Sequence, residues 1–400
     1  MKLLDIAEFF SERGGGVRSY LEELLRQGER RGHQVVVVAP GPRDEERRLE
    51  GGSALIRVRG PAMPYDPTYH ALLRAKRVRE IVRREAPDVV QASAPYVAAW
   101  IAASLREVPV RAHVYHSDQI TTYAAPLAAR LRPRPLADSA LGALFAWPRA
   151  LSRRFDLTLA PSAFVARQLS DHGCVRVRQV TFGIRHEQFG PDRRREAMRR
   201  DLLGPLADAP DAALVVAACR LAVEKRVALV VEAVQELNRR RPVALAILGE
   251  GPERPRLERL ARGLPAVRFL GFLRDRAEYA ALLASADVFA HGGYAETFCF
   301  VLGEALASGT PLVVPASGAA LDFAALDAGA SYDPQASPRE VADAIARVLD
   351  APREAGRQKA LAAARQVPST DEHFDRLFAV YEEALRAKRG GQTPDSSRGQ

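Results

Sequence analysis

Cysteine is scarce in this 400-residue chain: Cys174, Cys219 and Cys299 are the only three. Their odd number and their spacing exclude a disulfide framework and a zinc site, and point to a reducing compartment. Long hydrophobic runs are missing as well. The longest, residues 89–104, is interrupted by Gln91, Ser93 and Pro95, which excludes it as a membrane span. The first apolar run opens at Met1 with no leader ahead of it, so the expectation is a cytoplasmic protein. No strand ends in GxGxxG, which disfavours a dinucleotide-dependent dehydrogenase. Aromatic residues make up 7% of the chain, and no nucleic-acid module accompanies its charge.

That charge is considerable: the formal net charge is +9, carried almost wholly by arginine. An anionic partner would favour such a balance, and a membrane surface or a phosphorylated substrate ranks above DNA or RNA. Two basic segments, the helix around Arg74, Lys76, Arg77, Arg79, Arg83 and Arg84 and the stretch 123–154, read either as solvated faces or as surfaces for an anionic bilayer. The second contains Arg130, Arg132, Arg134, Arg149, Arg153 and Arg154 among leucine, phenylalanine and tryptophan. Peripheral contact at the inner face of the cell membrane is the corresponding partner expectation.

With 47% hydrophobic residues, the chain fits two ordinary domains. Residues 1–6 read as a strand, Gly14, Gly15 and Gly16 as a loop, and the segment from Val17 as a helix, an arrangement in which backbone N–H groups can close on a phosphate. Strands at 33–40, 87–90, 108–115, 156–161 and 177–183 alternate with helices, which predicts a parallel α/β sheet. His116, with Asp118 near it, follows one strand end and is a candidate catalytic pair or an ordinary loop histidine. Residues 191–210, charged and interrupted by proline, read as an interdomain linker. The alternation then restarts, with strands at 212–219, 243–249 and 267–270 and helices at 226–239, 253–262 and 276–284.

Residues 286–315 concentrate the least ordinary choices. A short strand runs to His291, a glycine-rich turn follows, a helix is expected over 297–308, and a strand lies between Pro311 and Pro315. Glu304 is the single charge of that helix, about two turns from Thr297 on the same face, and Glu296 stands just before it. With the free N–H groups of 297–299, these carboxylates suit a ligand with phosphates at one end and hydroxyls at the other. The alternative is a helix cap and an ion pair. Upstream, Arg220 and Lys225 lie five apart beyond a strand and can reach one pyrophosphate from two sides.

The ordered set resembles the retaining GT-B glycosyltransferases, specifically glycosyltransferase family 4. It consists of the glycine loop, the His116 loop, Arg220 with Lys225, Gly249-Glu250-Gly251, Phe269-Leu270-Gly271, and Glu296 with Glu304 in an E-x7-E pair. The resemblance implies an α/β GT-B fold, two Rossmann-like domains facing across a cleft. Residues 1–190 would bind acceptor, 191–210 would link, 211–368 would bind the nucleotide sugar, 369–389 would be a helix returning towards the N-terminal domain, and 390–400 a disordered tail. It also implies roles: Arg220, Lys225, the amides of Phe298, Cys299 and Phe300, and Gly15 and Gly16 on the donor diphosphate, with Gly249 in a donor-site turn. Glu304 would meet the ribose, the Phe272 backbone the base, and Glu296 with His116 the transferred sugar. No cofactor or metal is implied, and the chain has no Asp-x-Asp motif. The implied reaction moves a mannosyl- or glucosyl-type hexose from a GDP- or UDP-linked donor to a lipid or envelope-glycan acceptor, with retention.

The sequence departs from the family pattern at Cys299 for glycine, Arg226 for glycine, Phe182 for asparagine, and the loop 317–322, which lacks the usual glycine pair and glutamate. A GT-B epimerase and a non-catalytic nucleotide-sugar-binding protein are the competing readings; the intact Arg220, Lys225, Glu296 and Glu304 set argues against the first, and the same set with His116 against the second.

Overall fold

The computed structural model describes residues 1–11, 16–64, 66–118, 120–124, 142–264 and 266–391. Gly14 and Gly15, Arg130, Arg132 and Arg134, and residues 392–400 of the expected tail lie outside the described residues. The chain divides into two compact units, Met1–Thr181 with Asp371–Gln400, and Phe182–Thr370.

In the first unit, strands β1 (Lys2–Ile6), β2 (Gln34–Gly41), β3 (Glu45–Arg48) and β4 (Ala54–Arg59) precede a two-stranded ribbon of β5 (Ala62–Met63) and β6 (Asp66–His70). Strands β7 (Val89–Ala92), β8 (Val110–Val114), β9 (Leu157–Ala160) and β10 (Val177–Gln179) complete it. The main sheet has the order β10-β9-β8-β7-β1-β2-β4-β3 and is parallel except for β3. Leu3, Leu4, Ile6 and Val35–Val38 are fully buried, as expected of parallel strands covered on both faces. β3, with the sequence EERR, is exposed along its length and closes the edge with charge. The order reverses beside β1, the place where open α/β sheets leave a crevice. The helix Thr370–Arg389 buries Phe374, Leu377, Phe378 and Tyr381, and from Asp371 onward it belongs to this unit.

The second unit holds one parallel sheet of the order β13-β12-β11-β14-β15-β16. Its strands are β11 (Ala213–Ala218), β12 (Val243–Leu248), β13 (Val267–Gly271), β14 (Val288–Ala290), β15 (Leu312–Pro315) and β16 (Gly329–Tyr332). The expected linker, 191–210, lies inside this unit, and the boundary between the units falls at 181/182. The reason is Arg199 on the helix Glu196–Leu203. Its guanidinium is buried, donating to Asp287 Oδ2 at 2.7 Å and to the Ala212 carbonyl at 2.9 Å. Paired in this way, an arginine that reads as solvated in sequence can be taken inside. Among the described residues, no helix is long and apolar enough to cross a membrane.

Candidate active site

The helix expected over 297–308 runs from Phe300 to Ala307. Cys299 adopts φ 68°, ψ 72° immediately before it, a left-handed conformation that a helix interior does not accept. Thr297 therefore lies in the turn, not on one face with Glu304, and the open amides belong to the first turn from Phe300. The turn is held from several sides. Phe182 stacks on Phe300 at 5.6 Å, and Phe298 lies edge-on to Phe300 at 5.0 Å. The loop 317–322 supports it too: the Ala319 N–H donates to the Glu296 carbonyl at 2.8 Å, and Ser317 Oγ donates to the Tyr294 carbonyl at 2.8 Å.

Glu296 sits at the centre of an ionised cluster. Its Oε1 accepts from Lys225 Nζ at 2.5 Å and lies 3.0 Å from His291 Nε2. Burial alone would raise the Glu296 pKa, but the Lys225 ammonium and the His291 hydrogen bond hold the carboxyl well below the usual range. Burial conversely favours neutral Lys225, and the Glu296 charge overrides it and raises the ammonium pKa. The pair is thus charged on both sides at any physiological pH. Lys225 has three N–H donors, and among the described residues Glu296 is the one acceptor it reaches.

His291, Glu296 and Cys299 place donor atoms within 4.8 Å of one another, the spacing of a metal site. Two features make them a poor fit. The Lys225 ammonium already provides a cation at the same carboxylate oxygen. The Cys299 thiol is pushed well above its ordinary pKa by burial and by the Glu296 charge, whereas a ligand would have to be thiolate.

Glu304 lies elsewhere on the helix, about 6 Å along its axis from Phe300. Its Oε2 accepts from the Tyr279 hydroxyl at 2.5 Å and its Oε1 from Arg276 at 3.0 Å. Arg276 itself stacks over Tyr279 and Phe189, at 4.9 and 5.4 Å from their ring centres. Sequence reasoning passed over His291, Arg276 and Tyr279. His291 closes a strand and Arg276 opens a helix, but nothing local marks either as a partner of residues 5 and 28 positions away.

Arg220 is exposed just past β11, and among the described residues its guanidinium has no hydrogen-bond or ion-pair partner. Gly249 shows why its position demands glycine: φ is 129°, and a Cβ would meet the Cys219 carbonyl oxygen at 1.9 Å. Phe272, after β13, exposes 73% of its surface. The structure thus joins Lys225, Glu296 and Cys299, and sets Glu304 in a separate pair of contacts.

In the first unit, Gly16 opens the helix Gly16–Arg30, and Gly15 lies outside the described residues. His116 packs edge-on to Tyr20 at 4.7 Å. Burial, with smaller contributions from His113 and His373, pushes its pKa down to about 3, so the ring is neutral. The expected His116 and Asp118 pair does not form. Asp118 is buried and accepts from Thr121 N at 2.9 Å and from the Tyr115 hydroxyl at 3.3 Å; the local turn takes the carboxylate first.

A second polar cluster in this unit was not anticipated. Ser93 Oγ donates to Asp5 Oδ2 at 2.6 Å, Gln91 donates to the same oxygen, and the Tyr381 hydroxyl donates to Gln91. Asp5 is fully buried, and that burial pushes its pKa up to about 7 against the two hydrogen bonds. His373, pushed down to about 4 by burial, is neutral. Its Nδ1 meets the Thr181 carbonyl at 2.9 Å and must donate there, which leaves Nε2 to accept from Tyr20 at 3.3 Å.

Comparison with known proteins adds to this geometry. The family described as Glycosyltransferase Family 4 matches residues 14–188, and the one described as Glycosyl transferases group 1 matches residues 202–366. The chain is 30% identical over 353 residues to the GDP-mannose-dependent alpha-(1-6)-phosphatidylinositol dimannoside mannosyltransferase of Mycobacterium tuberculosis, covering 88% of each. It is 34% identical over 328 residues to a GDP-mannose-dependent alpha-mannosyltransferase of the same species, covering 80% of each. Among solved structures, sucrose-phosphate synthase from Thermosynechococcus elongatus superposes with a TM-score of 0.74 at 19% identity, over 97% of this chain and all of that one.

Proposed function

Because the chain belongs to glycosyltransferase family 4, with the GT-B fold of a nucleotide-sugar glycosyltransferase, we propose that it moves a mannosyl group from GDP-mannose to a lipid-linked acceptor. The proposed transfer retains the anomeric configuration and uses no metal ion. The observation that carries this reading is the ionised Lys225 and Glu296 pair beside the start of the helix Phe300–Ala307. The names of the relatives, GDP-mannose-dependent and acting on phosphatidylinositol mannosides, support the donor and the acceptor class.

A departing nucleoside diphosphate gains negative charge as the sugar bond breaks. Positive groups fixed in advance at that point lower the barrier, because they need no reorganisation. Lys225, with N–H donors beyond the one on Glu296, and exposed Arg220 both follow β11 and would take the diphosphate. The amides of the first helical turn, from Phe300, add the positive end of a helix dipole, and those of Phe298 and Cys299 would lie in the turn ahead of it. These charges serve where a divalent cation would otherwise serve. Glu296 would hold hydroxyls of the transferred sugar, and Glu304, fixed by Tyr279 and Arg276, those of the ribose. The Phe272 backbone would meet the base. The acceptor hydroxyl attacks from the face the diphosphate leaves, and its proton passes to the leaving phosphate, so no protein nucleophile is required. The neutral His116 ring is suited to hydrogen bonding with a sugar rather than to charge stabilisation.

The test is a thermal-shift series with GDP, UDP, ADP and their sugar conjugates, with and without EDTA, followed by transfer from labelled GDP-mannose to phosphatidylinositol mannosides. A saturating nucleotide, at about 100 times Kd, adds ~2.7 kcal/mol of stability. GDP should give the shift, EDTA should leave it unchanged, and Glu304→Ala should abolish it. A shift with UDP instead would replace the donor, and transfer lost on chelation would end the metal-free mechanism.

A further inference from the structure

The two tryptophans of the chain lie together on the surface of the first unit. Trp100 is on the helix Val97–Ser104 and Trp147 on the helix Ala146–Ser152, with ring centres 5.3 Å apart. Neither is inside: Trp100 exposes 42% and Trp147 40% of its surface. Tyr96, one turn before Trp100, and Leu144, one turn before Trp147, are exposed to a similar degree. An aromatic pair left half in water forgoes stabilisation that burial would give. A contiguous patch of this kind marks a contact surface.

The charge around the patch indicates its partner. Arg154 lies over the Trp100 ring at 4.7 Å, and among the described residues its guanidinium has no ion-pair partner. Arg79 reaches Ser104, one turn beyond Trp100, at 3.4 Å, and it too has no carboxylate partner among the described residues. Elsewhere on this unit the arginines are commonly paired, as Arg48 and Arg84 are with Glu85 and Glu46. Tryptophan and tyrosine with unneutralised arginine match a bilayer interface, where the rings sit at headgroup depth and the guanidinium groups meet lipid phosphate.

We infer that the Trp100 and Trp147 surface docks this enzyme onto an anionic lipid bilayer. The inference rests on the proposed lipid-linked acceptor, which is presented from such a surface. Trp147 Nε1 donates to the Pro95 carbonyl at 3.1 Å, which ties the ring to the loop ahead of the other helix. The patch is therefore presented as one rigid face.

Because both tryptophans belong to the patch, intrinsic emission reports on it directly. Full-length protein is mixed at low salt with vesicles of phosphatidylcholine, alone or with phosphatidylglycerol, and followed by flotation and by emission. The anionic vesicles should float the protein, shift its emission to the blue, and quench it when their acyl chains are brominated. Trp100→Ala, Trp147→Ala and Arg154→Glu should each weaken vesicle binding, the tryptophan changes by about tenfold, while thermal response to the nucleotide donor is unchanged. No flotation, or flotation with unaltered emission, overturns the assignment. So does a blue shift that appears with protein concentration alone, together with a dimer in ultracentrifugation, since a second copy would then own the surface. Transfer to the lipid acceptor in detergent micelles is measured in parallel. Its absence counts against the proposed function, whereas its presence without vesicle binding counts against this surface alone.

Discussion

Both units bury titratable side chains near the carboxyl ends of their parallel strands, yet Asp5, His113, His116 and His373 of the first are pushed towards their neutral forms, whereas Lys225 and Glu296 of the second are held charged. In the first, burial moves each group away from its charged form: Asp5 upward to about 7, and His113, His116 and His373 downward to about 4, 3 and 4. In the second, burial acts on Glu296 in the same sense and loses to Lys225 and His291. Desolvation is common to both, so the difference lies in whether an opposite charge is supplied within hydrogen-bond reach. A neutral network can be explained by packing alone. A charged pair next to an open helix turn is expected where a charged ligand must be met.

Removing one charge from the second cluster should have the largest effect. Glu296→Gln leaves Lys225 without its counter-charge and takes away the proposed sugar contact. Transfer should fall by about 10²–10³, and unfolding free energy by about 3 kcal/mol, read by kcat and by denaturant titration. A variant that keeps full activity would reduce this cluster to an ordinary ion pair.

Acid should separate the two units next. For His113, His116 and His373 the folded pKa lies below the ordinary 6.5. The stability they contribute is therefore complete above about pH 6.5 and is lost as pH falls towards 4. Asp5 works in the opposite sense: its folded pKa exceeds the ordinary 3.8, so stability is greatest below that value and is lost as pH rises towards 7. Three histidines outweigh one aspartate, so from pH 7 to 5 protection factors, hydrogen exchange corrected for the intrinsic rate at each pH, should fall in first-unit peptides before second-unit ones. Asp5→Asn should stabilise the protein at pH 8 by about 1–3 kcal/mol and steepen the acid loss. An unchanged pH profile would show that Asp5 is not the titrating group.

Smaller effects refine the charged side of the comparison. Tyr279→Phe deletes one of the two hydrogen bonds that aim Glu304 and should raise donor KM by about 5- to 10-fold, with kcat little changed in initial-rate assays. The smallest change expected is with Cys299→Gly, which relieves a left-handed backbone and should add about 1 kcal/mol in thermal unfolding, leaving transfer intact.

The alternation of buried strands and helices was legible because fully apolar strands such as 35–38 and 243–248 admit few other readings. The motif residues were legible because Arg220, Lys225, Glu296 and Glu304 stand in an uncommon order. What escaped were relations across the chain. The Thr297 to Cys299 segment reads as helix by composition, and only the packing of Phe182, Phe298 and Phe300 reveals that it turns. Residues 191–210 read as linker because Asp287, the partner that lets Arg199 be buried, lies 88 positions away. The charged strand β3 and the two-residue β5 have no apolar pattern to announce them, whereas β4 alternates, with Ala54, Ile56 and Val58 inward, and escaped notice all the same. Asp5 reads as one polar residue in a strand until Gln91 and Tyr381 are brought to it.

The passage of the chain into and out of the second unit has a consequence for how the protein is made. Ile184 and Ser369 pair side by side, and Gly183 is pressed so closely that a Cβ would meet the Ser369 carbonyl oxygen at 2.0 Å. The second unit therefore begins and ends at one place, as an inserted domain does, and can fold as soon as it emerges. The first unit cannot finish when its own strands emerge, because Phe374 and Tyr381 in its core are synthesised after the whole insertion. On the ribosome the amino-terminal half must wait, its core open, for the last helix to arrive, and premature termination after residue 370 would leave a folded second unit attached to an unfinished first.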